Sequence, residues 1–558
     1  MYRRSWKSGS GKVIWRIAMT SSPCSIILKR MREGLSKALG TWIGDLDLIG
    51  GIFSCGLWRS GNMRSWAPLF ISIWIFLPLG GEATSKPPHI VIIMADDLGW
   101  NALGCYGSDL VRTPHLDRLA AEGMRFTDAY ALSQCLPTRA AIFSGQYGAR
   151  TGLTSVETSS PAYAPMISPG RPEVLDPGLY TLFEMLRDAG YATGMSGKLH
   201  LGGKPGNTRS AFAKNGREAF EDYGIEWIGP TRSERDDKDV TAITDDMIEF
   251  MVDRHDEGPF VAYLAHYSPH TPLEVPEIFV ERAVERGFQR SSDPEGVYGE
   301  RVAAEYVAMV EFLDESVGRV LDTLDELGIA EDTLVLFLSD NGGLTRVWRN
   351  DPLRGGKGQL YEGGVRVPFI VRWPAQVEAG SACSIPVHVV DLFPTFKELA
   401  KGSVPSGHVL DGTSIVSLLK QTGILEREAV FSHHPEYVVA FAKTPCSMIR
   451  KGRYKLIYYF GDFLDPTDCV PKPHTLSGRF MLGSRTELYD LESDPQESRN
   501  LALEMPEKRE ELMSDLEAWW QETGAKFPKV NPDMDRGEWI WNQDENGHER
   551  KPEEVRAR

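Results

Sequence analysis

The chain has 558 residues, 42% of them hydrophobic and 25% charged, with 61 Lys and Arg against 78 Asp and Glu and a net charge of −17. This length suits two domains, one of them large, and the composition is that of a folded globular protein, which excludes the disordered, collagenous and multi-span membrane classes. The acidic balance argues against a nucleic-acid partner, because proteins that bind phosphate backbones need a basic face.

Residues 1–83 differ from the rest and are interpreted as a leader. Within them, Met63-Arg64-Ser65 precedes an apolar run of 14 residues, Trp66 to Leu79, and then the small residues of Gly80–Ala83. A short basic start, an apolar stretch and a small-residue exit are typical of a secretory signal, and the run is shorter than the roughly 20 residues that a membrane span needs. We therefore expect an exported protein, periplasmic or extracellular, with Met63 as the initiator and a signal peptide over 63–83. The alternative is a signal-anchor helix behind a cytoplasmic tail.

From residue 88, short apolar runs alternate with helical patterns, which is typical of an α/β sheet with crossover helices. His89–Met94 is apolar on both faces, as a buried parallel strand should be. Glu300–Leu327 has apolar residues at three- and four-residue steps, which predicts a long amphipathic helix. After Gly328, Thr333–Leu338 is predicted as the next buried strand.

Both predicted strands run directly into polar ligand-type residues, Asp96-Asp97 in one case and Asp340-Asn341 in the other. The carboxyl ends of strands in such sheets are where ligands bind. One acidic pair alone is more often a solvated loop or a helix cap, but two pairs, each after a buried strand, favour a site for Ca²⁺ or Mg²⁺. The seven cysteines show no zinc-ligand spacing.

After about residue 425 the pattern changes to short antiparallel strands. These are predicted at Met448–Arg450, Tyr454–Phe460 and Thr486–Tyr489, and a final helix at Pro506–Thr523. We therefore predict a large α/β domain over residues 84–425, and a smaller C-terminal α+β domain with a polar tail over residues 426–558.

The most informative segment is Cys135-Leu136-Pro137-Thr138-Arg139. A cysteine before a short helix is, taken alone, usually a small buried hydrophobe. Pro137 at a helix start, however, would place Cys135 where free backbone N–H groups favour an anion. Arg139 lies about one turn further on and can reach the same anion with its planar guanidinium.

This segment resembles the C-x-P-x-R core of the type I sulfatase family, which marks its cysteine for conversion to Cα-formylglycine. Five further sets of residues match that family: ADD-x-G at Ala95–Gly99, GY-x-T-x-x-x-GK-x-H at Gly190–His200, PH-x-P at Pro269–Pro272, SDNGG at Ser339–Gly343, and LRGGKG with YEGGVR at Leu353–Arg366. With the C-terminal LYDLESDPQESRNL segment, the resemblance covers about residues 87–530. It implies an alkaline-phosphatase-like fold, in which helices flank a mixed, mostly parallel sheet, and an arylsulfatase-like enzyme that hydrolyses sulfate monoesters.

The resemblance also implies roles for individual residues. Asp96, Asp97, Asp340 and Asn341 would bind one metal ion together with the modified Cys135, and the ion is more often Ca²⁺ than Mg²⁺. The further catalytic residues that it implies are Arg139, Lys198, His200, His270 and Lys357. Their charges suit a sulfate ester, and a near-neutral pKa is expected to suit the two histidines to proton transfer. By resemblance, His270 and Lys357 contact the bridging-oxygen side, and His200 assists the formylglycine step.

An aldehyde hydrate explains why a cysteine should be modified. One of its two hydroxyls attacks sulfur, and deprotonation of the other expels sulfate and regenerates the aldehyde. Leu136 stands where the family usually has a small residue, but the C-x-P-x-R core is intact. We therefore expect modification by a formylglycine-generating or equivalent maturase.

The substrate is less well defined by the sequence. Arg346, Trp348 and Arg349 follow SDNGG and are predicted to line the pocket mouth, gripping a sugar ring and a second anionic group, with an ordinary surface loop as the alternative. We favour a sulfated carbohydrate, because an exported enzyme meets polysaccharides more readily than small aryl sulfates. Two other functions stay open: a phosphoester or phosphonate monoester hydrolase of the same superfamily, and a non-catalytic binder of sulfated glycans if Cys135 is unmodified.

Overall fold

The structure is a computed structural model that describes residues 86–156, 160, 164–201, 221–229, 237–291, 302–438, 441, 443–464 and 480–533. The predicted leader, with its signal peptide over 63–83, and the polar tail beyond residue 533 lie outside these residues. Among the helices described, none has both the length and the apolar character that crossing a bilayer requires.

The described strands and helices are numbered in chain order. The strands are β1 (His89–Ala95), β2 (Met124–Tyr130), β3 (Met166–Ile167), β4 (Ala192–Gly197), β5 (Trp227–Ile228), β6 (Phe260–Ala265), β7 (Thr333–Ser339), β8 (Arg366–Arg372), β9 (Ser381–Cys383), β10 (Val387–His388), β11 (Ala429–His434), β12 (Cys446–Lys451), β13 (Tyr454–Tyr459), β14 (Asp462–Leu464), β15 (Phe480–Leu482), β16 (Arg485–Asp490) and β17 (Lys529–Val530). The helices are α1 (Pro114–Ala121), α2 (Cys135–Ser144), α3 (Gly148–Thr151), α4 (Leu182–Asp188), α5 (Val240–Arg254), α6 (Glu277–Glu285), α7 (Ala304–Glu326), α8 (Glu362–Val365), α9 (Leu392–Ala400), α10 (Val416–Leu419) and α11 (Pro506–Thr523).

A large central sheet organises the described chain. Its strand order is β10-β2-β8-β7-β1-β6-β4-β5, with β9 also paired to β2. Neighbouring strands are parallel except at β8, which runs antiparallel to both β2 and β7. The predicted mixed, mostly parallel sheet is thus confirmed.

The central strands are apolar on both faces because the sheet separates two cores. In β1, Ile90 and Ile92 pack into one hydrophobic core, and Val91 and Ile93 pack into the other. This follows from the alternation of side chains along a strand. The long helix α7 covers the second core. The predicted range is Glu300–Leu327; the helix begins at Ala304 and ends one residue before the predicted end, and residues 300 and 301 lie outside the described residues.

A second sheet follows in the order β11-β12-β13-β16, and all of its pairs are antiparallel. Lys451 pairs with Tyr454 across a tight turn in which Gly452 has a φ of 58°, a conformation that favours glycine. Helix α11 packs on this sheet through buried Leu512, Leu516, Trp519 and Trp520. The predicted C-terminal antiparallel sheet is confirmed, whereas the domain boundary at residue 425 stays a prediction.

The sheet brings distant motifs to one edge. Strands β1 and β7 are parallel neighbours, with Ala95 opposite Ser339, so that the residues that follow them emerge side by side. Strand β6 lies on the other side of β1, and β4 lies beyond β6. Because parallel strands end at the same edge, the segments after β4 and β6, which contain Lys198 and His270, emerge there as well.

Candidate active site

Cys135 occupies the first position of helix α2, and this helix is buried along its whole length. Gln134 before it has an extended backbone, so the helix begins at the cysteine itself. The exposed fraction of Cys135 is 3%. Its Sγ atom and carboxylate oxygens of Asp96 and Asp340 all lie within 4.8 Å of one another. The thiol therefore stands next to the acidic ends of β1 and β7.

Arg139 fixes one side of this cluster. It is fully buried, and its Nε and one terminal nitrogen donate to Asp340 Oδ2 at 3.0 and 2.7 Å. Its other terminal nitrogen donates to the carbonyl oxygen of Lys198 at 2.6 Å. Lys198 in turn forms an ion pair with Asp96 through Nζ. Each of these two cations thus holds a different carboxylate.

Lys357 and His270 form the opposite side. Lys357 Nζ lies 2.8 Å from Asp97 Oδ2 and 2.7 Å from Oδ1, and Asn341 Nδ2 donates to Asp97 Oδ1 at 2.8 Å. His270 Nε2 lies 3.6 Å from Asp97 Oδ2, and its Nδ1 lies 2.5 Å from the carbonyl oxygen of Thr271. We therefore assign the proton of neutral His270 to Nδ1, which leaves Nε2 facing the cluster.

The electrostatics of the cluster follow from burial and charge pairing. Burial opposes ionisation of Asp96, but Lys198 and the other nearby cations outweigh it and lower the pKa of this carboxyl. Burial and the charge of Asp96 raise the pKa of Asp340 to about 7, with Arg139 opposing. Burial also opposes the charged forms of the two lysines, yet Asp96 raises the pKa of Lys198 and Asp97 raises that of Lys357. Both lysines therefore carry their positive charge at neutral pH.

The near-neutral pKa predicted for His200 and His270 is wrong. Burial, with help from Lys198, lowers the pKa of His200 well below its ordinary value. Burial and Lys357 lower the pKa of His270 to about 4. Both imidazoles are therefore neutral at pH 7, and Lys357 is the charged hydrogen-bond donor on the His270 side. The His270 side chain is 30% exposed, against 5% for Lys357 and 2% or less for the three carboxylates, so the cluster opens beside His270.

Two oxygen atoms in the cluster lack a hydrogen-bond partner among the described residues. They are Asp96 Oδ1 and Asn341 Oδ1, and both residues are 0% exposed. An unpaired buried polar atom is costly, and an oxygen of this kind is the ligand that a hard divalent cation prefers. The donor set of Asp96, Asp97, Asp340 and Asn341 therefore fits such an ion.

The three residues predicted at the pocket mouth do not share one environment. Trp348 is 1% exposed, stacks on Tyr306 at a centroid distance of 5.1 Å and donates from Nε1 to Asn101 Oδ1 at 2.7 Å. The structure thus places Trp348 in the second core rather than at an open mouth, because its large apolar surface is buried there. Arg346 and Arg349 are half-buried.

Two residues that sequence reasoning missed also belong to the site. Asn350 donates from Nδ2 to the carbonyl oxygens of Gly343 and Gly355 at 2.9 and 3.0 Å, and so joins SDNGG to the following glycine loop. The half-buried Phe441 places its ring centroid 5.7 Å from Lys357 Nζ. A lone asparagine between two motifs and a phenylalanine in a segment without a motif carry no signal of their own.

Comparison with known proteins agrees with this geometry. Residues 88–403 match the family model described as Sulfatase, and residues 356–469 match the model described as N-sulphoglucosamine sulphohydrolase, C-terminal. A sulfatase of Formosa agariphila is 30% identical, with 82% of this chain and 94% of that protein aligned. Human arylsulfatase A is 31% identical over 75% of this chain and 84% of its own. An N-acetylgalactosamine-6-O-sulfatase of Bacteroides thetaiotaomicron is 27% identical over 78% and 93%.

Solved structures share the fold. A protein crystallised with its substrate D-glucosamine-2-N,6-O-disulfate aligns with a TM-score of 0.58 at 21% identity, covering 79% of this chain and 98% of its own. The phosphonate monoester hydrolase of Agrobacterium radiobacter aligns with a TM-score of 0.55 at 20% identity, covering 79% and 97%. At these identities the likeness shows the architecture alone.

Proposed function

The chain belongs to the sulfatase family and is a hydrolase of sulfate esters, and we propose that it acts on sulfated carbohydrates through a formylglycine made from Cys135, beside one divalent metal ion. One observation carries the proposal. The Cys135 thiol lies at a helix N-terminus within 4.8 Å of the Asp96 and Asp340 carboxylates, in a cluster where two oxygens, Asp96 Oδ1 and Asn341 Oδ1, have no hydrogen-bond donor among the residues that the structure describes.

The metal would be held by Asp96, Asp97, Asp340 and Asn341. A bound divalent ion supplies positive charge that neutralises the sulfate group. The residue types favour Ca²⁺ or Mg²⁺ over a soft metal, because all four side chains offer oxygen atoms. Arg139 and Lys198 keep Asp340 and Asp96 oriented, since each donates to one oxygen of its carboxylate.

The nucleophile is residue 135 in its hydrated aldehyde form. Its position in the first turn of α2 places it among backbone N–H groups that lack partners within the helix, which favours a bound anion. The leaving group then points to the open side, where Lys357 carries charge and His270 is partly exposed. Lys357 donates a hydrogen bond to the leaving oxygen, and Nε2 of neutral His270, which is an acceptor, receives the hydroxyl hydrogen of the departing alcohol.

The preference for a carbohydrate rests on the relatives. One is named an N-acetylgalactosamine-6-O-sulfatase, and a structural neighbour was crystallised with a disulfated glucosamine. Half-buried Arg346 and Arg349 follow the metal-binding loop and supply cations for a second anionic group on the sugar.

A combined mass-spectrometric and kinetic experiment tests the proposal. Protein produced together with a formylglycine-generating maturase is digested, and we expect the Cys135 peptide to carry the aldehyde. An aryl sulfate should then be turned over faster than the matching aryl phosphate and phosphonate, and a panel of sulfated oligosaccharides should include a better substrate than the aryl sulfate. Faster phosphoryl turnover would favour the phosphoester or phosphonate hydrolase instead. An unmodified thiol in protein from the native host would favour a non-catalytic binder.

A further inference from the structure

The segment Leu488–Leu501, which carries the LYDLESDPQESRNL motif, folds into a closed loop at the edge of the C-terminal sheet. Asn500 closes the loop at its two ends, because Asn500 Oδ1 accepts hydrogen bonds from the backbone N–H groups of Leu488 and Ala502, each at 3.0 Å. The backbone N–H of Leu501 also donates to the carbonyl oxygen of Leu488 at 2.7 Å. Inside the loop, Asp494 accepts the backbone N–H of Arg499 at 2.9 Å. These bonds determine where Glu497 lies.

Glu497 is unusual in this loop for its backbone and its burial. Its φ is 53°, in the left-handed region that side-chain-bearing residues rarely adopt, and it is 0% exposed. Such a conformation persists only where the surroundings hold it. Lys455 Nζ lies 2.9 Å from Glu497 Oε1, and the backbone N–H of Glu362 donates to Oε2 at 2.7 Å. The guanidinium of Arg354 donates to the Glu497 carbonyl oxygen at 2.9 Å.

These partners bracket the glycine loop that carries Lys357. Arg354 stands at its start and Glu362 at its end, and the backbone N–H of Gly363 donates to the Arg354 carbonyl oxygen at 2.7 Å. The Glu362 carboxylate is itself fixed by Lys455 Nζ at 2.9 Å and by the Tyr130 hydroxyl at 2.8 Å. Glu497 therefore contacts the loop at both ends, from a segment more than 130 residues further along the chain.

The glycine loop in turn packs tightly on the strand end that carries Asp340 and Asn341. The backbone N–H of Lys357 donates to the Gly343 carbonyl oxygen at 3.1 Å, and that of Gly342 donates to the Gly364 carbonyl oxygen at 3.0 Å. A Cβ atom on Gly342 would lie 1.9 Å from the Gly363 carbonyl oxygen. Because the backbones touch here, we expect a shift of Glu362 to displace Gly342 and, with it, Asn341.

We propose that Glu497 is a positioning residue for catalysis, which holds Lys357 and Asn341 in register from the C-terminal sheet through Arg354 and Glu362. The inference rests on the roles that the proposed function gives to Lys357 and Asn341. It also explains the LYDLESDPQESRNL motif. Asp494 and Asn500 hold the loop together by hydrogen bonds, and Glu497 is the side chain through which the loop contacts Glu362.

Substitutions at Glu497 separate positioning from stability. In Glu497→Gln, Lys455 keeps Glu362 as its partner, so no buried cation is left unpaired. Glu497→Gly removes the side chain and suits the positive φ, which makes it the variant that best preserves the loop. The matched control is Glu504→Gln, because Glu504 is exposed in the following segment and forms a surface ion pair with Arg499 at 2.6 Å. Formylglycine content of each protein is measured by mass spectrometry, and thermal unfolding checks the fold.

For Glu497→Gly we expect kcat per formylglycine to fall about tenfold or more while KM for an aryl sulfate changes less than about threefold, because small misplacements of catalytic groups act mainly on the reaction step. Glu497→Gln should lose less, because its amide oxygen still accepts the backbone N–H of Glu362. The dependence of the rate on leaving-group pKa should also steepen, as when Lys357 is displaced, and Glu504→Gln should match the wild type. Wild-type kcat in Glu497→Gly, with only the unfolding temperature lowered, would overturn the inference and leave the proposed function intact. A formylglycine-bearing wild type without sulfate-ester turnover would overturn both.

Discussion

Replacing Lys357 with alanine is the sharpest test of the charge arrangement in the site. The Lys357 side chain is 5% exposed, and its Nζ lies 2.7 and 2.8 Å from the two oxygens of Asp97. Burial opposes the charged form, but Asp97 raises the pKa of Lys357, so the ammonium group is charged at neutral pH. A unit charge about 4 Å from the charge developing on a leaving oxygen contributes up to about 4 kcal/mol at an effective dielectric constant of about 20. Part of this is offset by Asp97. Removal of one such donor therefore lowers kcat by about 10²–10³-fold, or about 2.7–4 kcal/mol.

The assay is steady-state hydrolysis of a series of aryl sulfates whose phenols differ in pKa. Since Lys357 is proposed to act on the leaving oxygen, we expect Lys357→Ala to lose most activity with the poorest leaving groups and least with the best. Lys420→Ala serves as the control, because Lys420 is exposed at the end of α10. A loss of less than about fivefold that is equal across the series would refute the reasoning, because it would show that Lys357 does not meet the developing charge.

Four further results are expected. Cys135→Ala should abolish turnover without changing the fold, because a small side chain replaces another at a buried position, and residual activity would place the nucleophile elsewhere. Arg139→Met should lower the free energy of unfolding by about 3–5 kcal/mol in urea titrations, since it leaves the buried Asp340 without its cation, and an unchanged midpoint would contradict this. Treatment with a chelator should abolish turnover and lower the unfolding temperature, and Ca²⁺ or Mg²⁺ should restore both; insensitivity to chelation would argue against a metal at Asp96 and Asn341. Burial lowers the pKa of His433 to about 4, so the unfolded chain takes up a proton below pH 6.5 that the folded chain does not; His433 alone should contribute about 3 kcal/mol to the fall in the free energy of unfolding between pH 6.5 and pH 4, and the fall in His433→Gln should be smaller by this amount.

Much of the fold could be predicted because local patterns and long-range packing agree. Helix α11 has the predicted bounds Pro506–Thr523, and β7 extends the predicted Thr333–Leu338 by one residue. Hydrophobic periodicity and the residues that end helices predict such elements from the local sequence. The antiparallel direction of β8 and its place between β2 and β7 have no such local signal, because strand order depends on which distant surfaces bury each other.

The sequence was sufficient to predict which residues form the site, but not which of them pair with each other. The motifs predicted that Asp96, Asp340 and Cys135 would meet, and the structure brings them together. Which cation holds which carboxylate depends on side-chain reach across the sheet edge, so the pairing of Lys198 with Asp96 and of Lys357 with Asp97 had no sequence signal. Burial explains the other failures, since it moves Trp348 into the core and lowers the pKa of His200 and His270.

The pairing pattern also explains how an acidic chain can accept an anion. Three buried carboxylates are matched by three cations, Arg139, Lys198 and Lys357, so the cluster is close to neutral in a chain whose net charge is −17, and a bound divalent ion would make it positive. These cations occupy Asp340 Oδ2, Asp96 Oδ2 and both oxygens of Asp97, whereas Asp96 Oδ1 and Asn341 Oδ1 have no hydrogen-bond donor within the part of the chain that the structure describes. In the proposed mechanism, the same side chains would orient the oxygens for a metal and neutralise the sulfate group. Removing any one of the three should therefore weaken metal binding and turnover together, whereas loss of a surface cation should weaken neither.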